Sequence, residues 1–590
     1  MAQFRKMVLT NKGRELISKV IAGKSGFRFT RVVLSSQSYT DTRIMHLADL
    51  DNIKQTLGNP VVTRQSSTAV EIRAVANNIA IRESYELKSI GLYAFDPEQG
   101  KDILYGVAGA DVAGYVPAYN GVTVSGIYIT FITSVSNADS ITMEVSDGTV
   151  ATIGHINDLQ DKITALQSFV GYAESDAYGV EVDFVNKTFT RLGGATNKIP
   201  GTDFNTVNAF GGRRRCIVTD DGTVLAYYGE EGYVETGKLE QSVGGYPKGT
   251  PVQVMVEQPL FYYLVAPVSL EKTEDGNGYH LRRARYFVSD YIKSGYKVHP
   301  AFISNGVVKD RIYLSAYEAS LYDVSEETHI LDDAQVANFA TDMLSSIAGA
   351  KPISGVDQQL TRTNARELAH NRGTGWEQAY CATVSATQLL MLIEYATLNM
   401  QTAVGSGAVN MKNVASGVNA SEPTGVTATL GNATGSALNA KGVQFISYRG
   451  EENIWGNIFY WVDGMSVNVL SDGTPKLYVA DHDFADNKID DHYTDTGIIL
   501  AEERGYISAF GYNAAFDWIF APTEVTGNSV APVGDQFTHA SNVAWGTVTA
   551  PQLGGLWNSG TSAGPFLWNV LNPAAAKSRG TGCRLVYIPA

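Results

Sequence analysis

The 590-residue sequence predicts a β-rich α+β fold divided among several domains. Three observations lead there. Apolar and aromatic residues recur in short runs between turn residues, with 31 Tyr, 22 Phe and 58 Gly. Aromatic residues suit pleated, half-buried surfaces, and glycine supplies turns. Hydrophobic residues make up 44% and charged residues 18%, a globular composition and not a disordered one. Finally, one short segment switches to heptad spacing between two β-rich blocks, which divides the chain into 1–150, 151–171 and 172–590.

The first block opens with an amphipathic helix over Asn11–Ala22, with Asn11 as its N-cap and Gly23 as its stop. Strands are expected at Phe27–Leu34, Ala69–Ile81, Ser89–Phe95, Ile103–Ala108, Gly126–Val135 and Ile141–Val145. Many short strands separated by turn signals predict a β-sandwich-like block.

In the second segment Ile156, Leu159, Ile163, Leu166 and Val170 are spaced 3, 4, 3, 4. That is the seam of a short coiled-coil neck that joins protomers, or one face of an ordinary amphipathic helix. Ile and Leu at alternate seam positions favour two strands by rule, over too short a length to fix oligomer state.

The third block predicts strands at Gly179–Phe184, Cys216–Val218, Val224–Tyr228, Val252–Val256, Phe261–Pro267 and Tyr279–Val288. Two helices are expected. Asp333–Ile347 has Val336, Phe339, Ala340, Met343, Leu344 and Ile347 on one face, and Ser385–Leu398 is apolar nearly all round and so buried. Residues 403–440, rich in Gly, Ala, Ser and Asn, read as a long loop or flap.

From Gly511 to Ala590, large apolar residues such as Phe516, Trp518, Phe520, Phe566 and Trp568 alternate with small polar ones. The first set can form a core. The second gives adaptable hydrogen bonding, the composition of a binding surface more than of a catalytic one.

The formal net charge of −15 argues against a general nucleic-acid binder. The short basic clusters, Arg213–Arg215 and Arg282, Arg283 and Arg285, read as structural, making ion pairs or hydrogen bonds to loop carbonyls. Cys216, Cys381 and Cys583 are too widely spaced for a disulfide framework or a zinc site and read as buried apolar residues. MAQFRKMVLTNKGRELISKV lacks the apolar core of a signal peptide, and no 18-residue apolar run predicts a membrane span. Synthesis in a cytosol is expected.

Three stretches resemble known families. LTNKGRELISK, FRFTRVVLS and LKSIGLYAFDPEQGKDILYGVA, within 9–108, resemble the N-terminal domain of phage tail-collar fibre proteins. That resemblance implies an adaptor that attaches a fibre to the tail or baseplate. WGNIFYWVDG at 455–464 and GCRLVY at 582–587 resemble signatures of the formylglycine-generating type of C-type lectin fold. The terminal stretches FGYNAAFDWIFAPTEVTGNS, LGGLWNSGTSAGPFLWN and GCRLVYIP resemble the variable proteins of diversity-generating retroelements, the class of the phage major tropism determinants. FGGRRRCIVTDDG and VMVEQPLFYYLV resemble phage members of that group.

The resemblance implies a tail-fibre receptor-binding protein of the virion. A C-type lectin-like scaffold would display a diversifiable surface to a host cell-surface protein or glycan, and tail fibres of this type imply a homotrimer. Carried over residue by residue, the surface comprises Tyr512, Asn513, His539, Ser541, Asn542, Trp557, Asn558, Ser559, Thr561, Ser562, Leu567, Asn569, Leu571, Lys577, Ser578 and Arg579. Trp557 would be an aromatic anchor. Phe516, Trp518, Gly554, Gly555, Trp568, Gly582, Arg584 and Leu585 would be scaffold.

No catalytic residues are expected. Leu585 stands where the enzymatic members of the formylglycine-generating group carry a cysteine. The rivals are a polysaccharide-degrading enzyme using a carboxylate pair (Glu230–Glu231, Glu451–Glu452 or Glu502–Glu503), a cysteine-oxidising enzyme, and a purely structural baseplate part. No cofactor is expected beyond a calcium ion, for which Asp220, Asp221 and Asp463 are candidates.

Overall fold

The computed structural model describes residues 3–22, 28–64, 69–119, 126–134, 143–148, 174–273, 278–332, 338–355, 358–411, 420–480, 484, 488–526, 535–539, 544 and 546–589. The chain is β-rich with few helices and divides into two compact units, Met1–Leu166 and Gln167–Ala590. The expected neck at 151–171, with Ile156, Leu159, Ile163, Leu166 and Val170, lies outside the described residues.

In the first unit, strand Tyr85–Asp96 pairs antiparallel with both Arg28–Ser35 and Lys101–Val116 in a six-stranded sheet. Asp96 shapes the connecting turn by accepting from the backbone N–H groups of Glu98 (3.0 Å) and Gln99 (3.4 Å). A second, four-stranded sheet contains Ala69–Asn77 and Gly126–Ser134. Ile72, Ala74, Ala76 and Ile129 from this sheet share one core with Val32, Leu34, Ile90 and Leu92 from the other. The first helix spans Asn11–Ile21, and its cap is Thr10, not Asn11: Gly13 N–H donates to Thr10 Oγ1 at 3.0 Å. A Cβ on Gly13 would lie 2.1 Å from the Tyr105 carbonyl oxygen, so glycine lets the helix lie against the sheet.

The second unit is organised around helix Cys381–Tyr395, in which every residue but Tyr395 is buried. A helix apolar on all sides has no solvent face, and here it packs into one core with Trp455, Phe520, Phe566 and Trp568. An eight-stranded sheet contains the hairpin Tyr262–Lys272 and Tyr279–Ser289. In a six-stranded sheet, strand Leu585–Tyr587 lies between Arg311–Ser315 and Trp376–Gln378.

Two expectations are corrected. The helix at Asp333–Ile347 is absent over its described part. Met343–Ser345 is instead a strand paired with Ser320–Asp323. Long-range partners claim its backbone: Arg372 Nε donates to the Leu344 carbonyl at 2.6 Å, and Ser346 N–H donates to Gln253 Oε1 at 2.9 Å. Tertiary pairing overrides the helical spacing. The region 403–440 is no open flap where it is described. Gly435–Leu438 pairs with Gln444–Tyr448, and the N–H groups of Gly425 (2.7 Å) and Thr427 (2.6 Å) donate to buried Glu452.

Candidate binding face

The segment Trp455–Gly464 forms the footing of the face. Trp455 and Trp461 are fully buried. Gly456 has φ 84°, and a Cβ there would lie 2.9 Å from Ala408 N, so the chain passes too close for any side chain. Asn457, also left-handed at φ 59°, donates through Nδ2 to Glu318 Oε2 (2.7 Å) and the Glu422 carbonyl (3.1 Å), and accepts from Glu422 N–H (2.7 Å). These bonds replace the ladder that irregular backbone lacks. Phe459–Trp461 then pairs antiparallel with Gln552–Gly554 and parallel with Thr581–Gly582, and Gly564–Asn569 completes the sheet.

The loop 557–562 leaves this sheet on a fixed backbone. Trp557 N–H donates to the Asn457 carbonyl (3.2 Å), Met411 N–H to the Trp557 carbonyl (2.8 Å), and Gly560 N–H to the Val409 carbonyl (2.9 Å). Gln401 Nε2 bonds the carbonyls of Gly560 and Ala563, both at 2.8 Å. From this loop Asn558 and Thr561 are exposed, and Ser559 and Ser562 half-buried. The loop containing Lys577, Ser578 and Arg579 adjoins it: a Cβ on Gly580 would lie 3.4 Å from the Trp557 ring. Lys577 is exposed and donates to Gln359 Oε1 at 2.7 Å, while Ser578 and Arg579 are half-buried.

Other expected surface residues lie elsewhere. Trp557 itself, at 8% exposure, packs under the loop, so it supports the face and is not displayed on it. Leu567 and His539 are also buried, and burial lowers the His539 pKa and keeps its ring neutral. Asn569 and Leu571 are half-buried; Asn569 Nδ2 donates to Gln552 Oε1 at 2.9 Å. Ser541 and Asn542 lie outside the described residues. Tyr512 and Asn513 are half-buried beside the tip of the long hairpin, where Tyr512 N–H donates to the Tyr279 carbonyl (3.1 Å) and Asn513 Nδ2 to the Thr496 carbonyl (2.9 Å). The sequence reading missed Asn410, exposed beside Gly560, and Tyr279, exposed beside Tyr512; only tertiary proximity places either there.

The expected scaffold residues are buried apart from half-buried Phe516. Arg584 donates to the carbonyls of Glu452 and Ser315, both at 2.9 Å. The basic clusters are structural: Arg213 pairs with Glu451, Arg214 with Glu257, Arg215 with Glu235, and Arg283 and Arg285 with Glu181.

Among the candidate carboxylate pairs, Glu451–Glu452 is already engaged. Glu451 faces Arg213, and Glu452 accepts three bonds from Gly425 and Thr427. Of the calcium candidates, Asp463 is gripped by Arg366 at 2.6 and 2.8 Å, Asp220 by Arg372, and Asp221 by Thr219 and Tyr246. These three do not converge, and no metal-binding cluster of His, Cys, Asp or Glu occurs among the described residues. The three cysteines form no disulfide with one another and are buried; burial pushes the Cys216 and Cys583 thiols well up. No described helix is long and apolar enough to cross a membrane.

No protein-family model matches the chain, and no curated protein matches it. Among solved structures, the chain is similar to the Major Tropism Determinant U1 variant at 13% identity, over 64% of this chain and 72% of that one, with a TM-score of 0.23. The P3c variant gives 12% identity, 64% and 71% coverage, and a TM-score of 0.22. Likeness at this level carries no argument by itself.

Proposed function

We propose that the protein is a phage receptor-binding protein, in which Gln167–Ala590 reads a host cell-surface protein or glycan and Met1–Leu166 attaches to the tail or baseplate. One observation carries the reading. Asn558, Ser559, Thr561 and Ser562 stand with Lys577, Ser578 and Arg579 on loops whose backbones are bonded to a buried scaffold. Small polar side chains on a fixed backbone can be exchanged without disturbing the core, which is what a diversifiable surface needs. The sequence resemblance to tail-collar and retroelement-variable proteins points the same way, and implies a trimer in which several weak contacts act together.

The test is competition. The full-length protein is added to host cells before the phage that encodes it, and adsorption is counted. Adsorption falls, and the combined variant Asn558→Ala with Thr561→Ala restores it. If a correctly folded full-length protein leaves adsorption unchanged, the receptor is read by another component.

A further inference from the structure

Beneath the candidate face, three buried side chains meet: Glu318, Asn453 and Asn457. Both asparagines give a side-chain N–H to the same oxygen of Glu318. Asn457 Nδ2 donates to Oε2 at 2.7 Å and Asn453 Nδ2 at 3.4 Å. The other half of two of these groups is left over. Among the described residues, Glu318 Oε1 and Asn453 Oδ1 have no hydrogen-bond partner. Buried polar atoms are rarely left so, and two acceptors cannot serve one another. An ionised carboxylate brings no hydrogen of its own, whereas a carboxylic acid does. A proton on Oε1 turns one orphan into a donor and gives the other its partner.

The charged and titratable groups around Glu318 leave room for that proton. Arg584 favours the ion, but its guanidinium is turned to backbone, with Nη1 on the Glu452 carbonyl and Nη2 on the Ser315 carbonyl, both at 2.9 Å. Glu452, another carboxylate, works against the ion. Burial keeps Tyr460 neutral. Glu422, whose backbone holds Asn457, has its own carboxylate 2.7 Å from Lys441 Nζ. Desolvation outweighs the rest and pushes the Glu318 carboxyl up to about 8.

The two asparagines are the ends of one tight turn. Asn453 (φ 48°) and Asn457 (φ 59°) both have left-handed backbone, a conformation that needs outside support in any residue but glycine. The Asn457 carbonyl accepts from Trp557 N–H at 3.2 Å, so Glu318 stands two hydrogen bonds from the loop 557–562.

We propose that Glu318 is a proton-operated clasp: its acid hydrogen bonds Asn453 Oδ1, and losing that hydrogen to solvent releases the turn 453–457 and loosens the loop 557–562. The ion left behind presents a bare acceptor to Asn453 Oδ1 and a like charge to Glu452, so the turn no longer closes on it. The candidate face is held firm in acid and neutral solution and relaxes in alkali. This rests on the reading of 557–562 as that face.

Hydrogen exchange on the full-length protein, with no receptor present, tests the clasp. Corrected for intrinsic rates, protection of segments 453–457 and 557–562 falls roughly tenfold per pH unit between about pH 6 and pH 8, the slope of one proton released on opening. Tyr85–Asp96 in the other unit keeps its protection. Glu318→Gln, whose amide keeps a donor and an acceptor and does not ionise, folds and shows no slope. Protection independent of pH in the wild type, a slope that persists in Glu318→Gln, or a Glu318→Gln chain that does not fold overturns the proposal. The adsorption competition decides the receptor reading separately, so failure of one is distinguishable from failure of the other.

Discussion

The two units solve the same problem in different ways. Met1–Leu166 satisfies its backbone through long regular ladders, and among its described residues the only buried charged side chain is Asp96. Gln167–Ala590 contains much irregular chain and buries Arg213, Arg215, Arg362, Arg372 and Arg584 with several carboxylates. These arginines hold loop carbonyls: Arg215 bonds those of Gly450 (2.8 Å), Thr427 (3.4 Å) and Ala428 (3.3 Å), and Arg362 bonds that of Met465 (2.6 Å). Where sheet pairing supplies the partners, apolar packing is enough. Where loops must be held still, guanidinium groups replace the missing ladder.

The comparison breaks most sharply at Arg215. Arg215→Ala should destabilise the second unit by about 3–5 kcal/mol, because it strips several buried carbonyls and Glu235 of their partner. Urea unfolding should show that transition moving while the first unit's stays. A shift of both transitions, or of neither, removes the distinction.

Glu318 comes next. Burial pushes its carboxyl from an ordinary 4.5 up to about 8. The native state therefore keeps a proton that the unfolded chain has lost. The stability from this group is full below pH 4.5 and is lost as the pH rises to about 8. Glu318→Gln should remove that decline, on the order of 5 kcal/mol between the two ends. Urea midpoints across this pH range check it, and a slope unchanged in the variant would refute the assignment.

Leu92→Ala should cost the first unit about 3 kcal/mol through a core cavity, with no change in the pH slope of the second. Thr10→Ala, which loses the cap on Gly13, should cost about 1 kcal/mol, read from the same transition. Asn558→Ala should change stability by less than about 0.5 kcal/mol, so any loss of competition for adsorption belongs to recognition and not to folding.

Short apolar runs between turn residues made the strands up to Val288 legible from sequence, and the nearly all-round apolar character of Ser385–Leu398 announced a buried helix, which spans Cys381–Tyr395 and ends at the left-handed Ala396. The failures share a cause. Met343–Ser345 and the stretch beyond Ala420 owe their conformation to partners far along the chain, Gln253, Arg372 and Glu452, which no local window contains. The candidate face was half legible. Its small polar residues announce exposure, but Trp557 among them looks like an anchor, and only the bare Gly580 beside its ring shows where it goes.

The position of Leu585–Tyr587 also bears on how the protein is made. This strand lies second from the edge of its sheet, between segments finished more than two hundred residues earlier on both sides. Arg311–Ser315 and Trp376–Gln378 must therefore wait, each with an open edge, until the ribosome has passed residue 587. Closure over so long a sequence separation is slow, and the waiting edges invite other strands. Synthesis of Leu585–Tyr587 becomes the event that completes the sheet, and a nascent chain interrupted just short of it is a substrate for chaperones or proteases.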